Sequence, residues 1–72
     1  TLRELRTSRG LALDAVALLA GVDTSTVSRI ENGKQKASPE TIVRLSMALG
    51  ISARRMKTIC DAAALAPEGD AA

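Results

Sequence analysis

The chain has seventy-two residues, with ten Lys and Arg against eight Asp and Glu for a net charge of +2; this allows one small domain that buries only about 60% of its unfolded surface, so its core is thin. With no His and a single Cys, there is no zinc ligand set, no internal disulfide and no Cys/His or Ser/His nucleophile pair, and enzyme chemistry has little to work with. The absence of Phe, Trp and Tyr removes the stacking platforms on which single-strand nucleic-acid binders lay bases, whereas duplex readers do not need them.

The first expected element is a helix over roughly residues 2 to 9, with Leu2, Leu5, Arg6 and Arg9 on one side by the i, i+3, i+4, i+7 rule, so that Arg6 sits at a core edge. A second helix begins near Leu13 and turns Val16, Ala17 and Ala20 inward, its two alanines leaving room for another helix to cross closely. Gly21 follows where a helix end favours positive φ, and Val22 folds back against the helix just finished. Asp23 then offers an N-cap acceptor to the amide of Ser25 or Thr26, and a third helix presents Val27 and Ile30 to the same core. Two helices crossing at so tight a turn read as a helix-turn-helix. Thr24, Ser25, Ser28 and Arg29 are left facing outward, a set that suits the major groove of duplex DNA. Hydroxyls donate or accept there, a Thr methyl meets a thymine methyl, and Arg bridges guanine O6 and N7. Ser and Thr are equally common on solvated helix faces, and only the turn beside this face tips the reading toward DNA.

Asn32, Gly33 and Lys34 close the third helix, with Gly33 as the positive-φ terminator, and Lys34, Gln35 and Lys36 follow as a loop. Ser38 and Pro39 give an N-cap and an N1 proline, and Glu40 suits the positive end of a fourth helix. That helix turns Ile42, Leu45 and Leu49 inward, Gly50 stops it, and Ile51 folds back onto the core. Ser52 caps a fifth helix in which Met56, Ile59, Cys60 and Ala63 share one apolar face, and Pro67 ends it. The domain is thus expected over residues 1–65, with residues 66–72 an acidic, disordered tail.

Charge is divided along the chain: residues 1–60 carry all ten basic side chains against five acids, a net +5, and residues 61–72 carry −3. A modest positive field fits a phosphate partner without distinguishing DNA from other polyanions. No apolar run approaches the ~18 residues of a membrane span and no signal-peptide pattern is present, so the chain reads as cytoplasmic. Because it starts at Thr1 rather than Met, a longer natural chain is expected.

From Leu2 to about Met56 the sequence resembles the lambda-repressor and Cro-like, XRE-type, helix-turn-helix family. The matching pieces are LRELRTSRGL, AVALLAGV, STVSRIENGK and SPETIVRLSMALGIS, followed by the start of a fifth helix. Single pieces are weak; their order and spacing together are specific. The resemblance implies an all-α, compact five-helix domain in which helices 2 and 3 form the DNA-binding motif. It implies base contacts from Thr24, Ser25, Ser28 and Arg29, and phosphate contacts from Thr26, Asn32, Lys34 and Lys36. It also implies a partly buried ion pair between Arg6 and Glu31, and self-association through the fifth helix, with Met56, Ile59, Cys60 and Ala63 as a candidate dimer face; the alternative for that face is that Met56 and Ile59 complete the chain's own core and residues 60–65 are a weakly ordered, Ala-rich extension. The implied partner is double-stranded DNA, a pseudo-palindromic operator bound by a homodimer, with no cofactor and no metal in this domain.

Two departures matter. Where the family places a polar cap followed by Gln at the start of helix 2, this chain has Ala12 and Leu13, losing a backbone clamp and about 1 kcal/mol of capping. The outward face of helix 3 has mostly short side chains, leaving Arg29 as the strongest reader and giving shape or water readout a larger share. The expected function is a transcriptional regulator, most simply a repressor. The alternatives are an antitoxin that also represses its own promoter, with a second protein chain as partner, and a protein-interaction module that has lost DNA binding.

Overall fold

A computed structural model describes residues 1–64 of the chain. It has five helices, α1 (Leu2–Ser8), α2 (Leu13–Ala20), α3 (Thr24–Glu31), α4 (Pro39–Leu49) and α5 (Ala53–Ala64), and no strand among the described residues. None of these helices is long and apolar enough to cross a membrane. The helix stop expected at Pro67 and the acidic tail over 66–72 lie outside the described residues.

The ends of the helices follow local chemistry, with one exception. Ser38 accepts a hydrogen bond from the Thr41 amide at 3.2 Å with Pro39 at N1, and Ser52 accepts one from the Arg55 amide at 3.2 Å. Both are serine N-caps. Gly21 closes α2 at φ +72°, and a Cβ there would stand 2.8 Å from Arg44 Nη1. The chain needs glycine at this turn for its backbone, since the Arg44 guanidinium is the end of a flexible, half-exposed side chain that can give way. Asp23 occupies the N-cap position of α3, but its carboxylate accepts no hydrogen bond from the helix. The expected Asp23 cap is thus corrected: position and extended backbone are right, while the first turn is tied by main chain alone, the Thr26 and Val27 amides donating to the Asp23 carbonyl at 3.0 and 3.2 Å.

The inward stripes meet in one core. Val16, Ala17 and Ala20 of α2, Val27 and Ile30 of α3, and Ile42, Leu45 and Leu49 of α4 are all buried, as is Leu2 of α1. Ala17 and Ala20 keep α2 slim, which lets the two helices of the motif close on a shared interior. From α5 come Met56 and Cys60, 0% and 4% exposed. Both lie in the monomer's own core, so of the four residues proposed for a dimer face only Ile59 and Ala63 retain partial access. A helix face cannot fill the interior and meet a second copy with the same atoms.

Candidate nucleic-acid interface

Helix α3 is positioned from behind and from its end. Val27 and Ile30 anchor one side, and Glu31 in the last turn is pinned by helix α1. Arg6 Nε donates to Glu31 Oε2 at 2.6 Å and Arg6 Nη2 to Oε1 at 3.3 Å, while Arg6 Nη1 donates to the Leu11 carbonyl at 2.9 Å. The two side chains are only 12% and 2% exposed. The hydrogen bond to Glu31 pushes the Arg6 pKa above its already high value, so this guanidinium stays charged. The ion pair fixes the pitch of α3 against α1, 25 residues away in sequence.

On the opposite side of α3, Thr24, Ser25 and Arg29 are exposed and Ser28 is half-buried. Thr26 lies half-buried at the flank of the helix. At the C-terminal end, Gly33 adopts φ +71° and the Lys34 amide donates back to the Arg29 carbonyl at 2.8 Å, so the loop leaves the helix in a fixed direction. Lys34, Gln35 and Lys36 of this loop are exposed. Among the described residues, Arg29, Lys34 and Lys36 form no salt bridge. The Asn32 amide is engaged at both ends: Nδ2 donates to the Ser28 carbonyl at 2.9 Å, and Oδ1 accepts from Arg3 Nη2 at 3.2 Å.

Arg3 is the residue that sequence reading missed at this place. It stands one helical turn before Arg6, an i, i+3 relation that puts both on the side of α1 facing Glu31. Three further arginines serve the scaffold. Arg6 closes onto Glu31, Arg9 Nε donates to the Leu49 carbonyl at 3.0 Å, and Arg44 Nη1 reaches the Ala20 carbonyl at 3.4 Å. Arg9 and Arg44 thus satisfy carbonyls at or near the C-terminal ends of α4 and α2. At the start of α2, Ala12 makes no side-chain cap and Leu13 is half-buried against the core, so the polar clamp is absent there. Leu18 and Leu19 stand 82% and 61% exposed on the same helix.

A family model described as helix-turn-helix matches residues 2–55. The chain is 41% identical over 51 residues to an uncharacterized HTH-type transcriptional regulator of Bacillus subtilis, RghRB, covering 69% of this chain and 37% of that protein. It is 45% identical over 51 residues to the HTH-type transcriptional repressor RghR of the same organism, covering 69% of this chain and 38% of that one. The match therefore spans little more than a third of these relatives' length. No solved structure gives a significant match.

Proposed function

The chain belongs to the helix-turn-helix family, and on that premise we propose that it is a DNA-binding transcriptional regulator, a repressor that reads a specific duplex sequence in the major groove with α3. The observation that carries this reading is the division of α3 into two sides. Thr24, Ser25 and Arg29 are open to solvent while Val27 and Ile30 are buried, and the buried Arg6–Glu31 pair sets the angle at which the open side is presented. Thr24, Ser25, Ser28 and Arg29 meet base edges, whereas Lys34, Lys36, Thr26 and the Asn32 end of the helix face the phosphate backbone. Repression follows from occlusion of a promoter, with no catalytic step and no cofactor. A homodimer on a pseudo-palindromic operator is the assembly that suits such a reader.

Selection from a random duplex pool tests the proposal directly. It is expected to return paired half-sites about one duplex turn, ~34 Å, apart. Arg29→Ala should then relax preference at one base position by about 1–3 kcal/mol. Lys34→Ala and Lys36→Ala should each lower the slope of log K against log salt by about 0.9 without changing the recovered sequence. A chain that shows no salt-dependent duplex binding at low ionic strength is instead a protein-interaction module, the reading that exposed Leu18 and Leu19 and the unclamped start of α2 favour.

A further inference from the structure

Glu31 holds one negative charge but faces two guanidiniums. Arg6 takes both carboxylate oxygens at 2.6 and 3.3 Å, and its side chain is 12% exposed. Arg3 Nε reaches the same carboxylate only at 3.4 Å, and its side chain is 60% exposed. One carboxylate neutralises one guanidinium, so the cluster carries a surplus positive charge, and it resides on the outer member, Arg3. Its Nη2 is tied to Asn32 Oδ1 at 3.2 Å.

The position of Asn32 gives that charge its meaning. At 100° per residue, Asn32 is four positions after Ser28 and three after Arg29, so it continues the outward strip of α3 along the middle of its width. Arg3 is thereby held over the C-terminal edge of the surface proposed to face DNA, on the side of α3 given to α1. Among the described residues two of its five N–H donors are engaged, with Glu31 and Asn32, and the other three lie in a planar fork that matches a phosphate. Among the described residues the Asn32 side chain is occupied by Arg3 and Ser28.

We propose that Arg3 is a phosphate-contacting residue of the DNA interface and that Asn32 is its positioning residue. The proposal rests on the DNA-binding reading above and deepens it. The backbone clamp that Ala12 and Leu13 do not supply from α2 is supplied from α1, one turn ahead of the Arg6 anchor.

The test measures binding of the full chain to a random-sequence duplex over a series of salt concentrations. Arg3→Gln should lower the slope of log K against log salt by about 0.9 while far-UV circular dichroism stays that of the wild type. Arg3→Lys should keep the slope and weaken binding, because charge is retained and the fork is lost. Asn32→Ala should likewise keep the slope and weaken binding, since the charge remains but its tether does not. A wild-type slope in Arg3→Gln, with the wild type binding in a salt-dependent way, overturns this inference alone. So does a drop that occurs only together with loss of helical signal. A wild type that shows no salt-dependent binding overturns the DNA-binding reading and this inference with it.

Discussion

Glu31 is the residue on which the placement of α3 against α1 depends. Its carboxylate is 2% exposed and compensated chiefly by Arg6. Among the described residues, Glu31→Ala leaves the Arg6 guanidinium enclosed with the Leu11 carbonyl as its remaining acceptor, and removes one of the two anchors of Arg3. Breaking one half of a buried ion pair costs about 3–5 kcal/mol, a large share of the stability of a domain this small. A urea melt of Glu31→Ala is expected to show at least ~3 kcal/mol of destabilisation; a change below ~1 kcal/mol would mean the pair is no better than an exposed one. The pairing of Arg6 with Glu31 was legible through the resemblance, because that family places these two residue types at these two places. Arg3 was not legible, since nothing within a turn of it in sequence names an acceptor 28 residues away.

At the scale of elements, turn chemistry was read correctly wherever it is local and incorrectly where a side chain had a choice. The Ser38–Pro39 start and the stops at Gly21 and Gly50 form as expected, because φ preference and a serine three residues before an amide leave few alternatives. Asp23 sits at its expected position yet leaves the amides to the main chain. The two caps should therefore differ when removed. Ser38→Ala is expected to cost about 1 kcal/mol, the usual value of a formed cap. Asp23→Ala should cost only about 0.3 kcal/mol, the low end of a charge near a helix N-terminus. Equal losses in paired thermal melts would show that the Asp23 carboxylate caps α3 in solution. Helix α1, seven residues long, is far below the length at which a helix stands alone. It is placed by Arg6 and by the Arg9 bond to the Leu49 carbonyl, with Leu2 in the core, so its partners decide its position.

At the scale of the whole molecule, the thin core places Cys60 at 4% exposure, with no second cysteine in the sequence to pair with it. Burial first, and the neighbouring Asp61 charge second, push the thiol above its ordinary value near 9. The unfolded chain sheds this proton at the ordinary value while the folded chain keeps it, so the contribution is complete at lower pH and lost as pH rises through the alkaline range. Stability should fall more steeply between about pH 8 and 10 in the wild type than in Cys60→Ala. Parallel curves would show that the thiol is solvated in the native state. The raised Lys57 pKa, caused by its hydrogen bond to Asp61, also loses its contribution at high pH, but both proteins share it. The sequence by itself determined the five helices, the stops of α2, α3 and α4, the inward stripes and the outward strip of α3. Helical period, positive φ and capping all act within about one turn of chain. Only the tertiary structure decided which cations stay open to solvent and which serve the scaffold. Arg6, Arg9 and Arg44 reach acceptors outside their own helices, up to 40 residues distant, Arg3 comes to rest at the end of α3, and Met56 and Cys60 turn inward. Those outcomes depend on distances between elements, which a helical period does not encode.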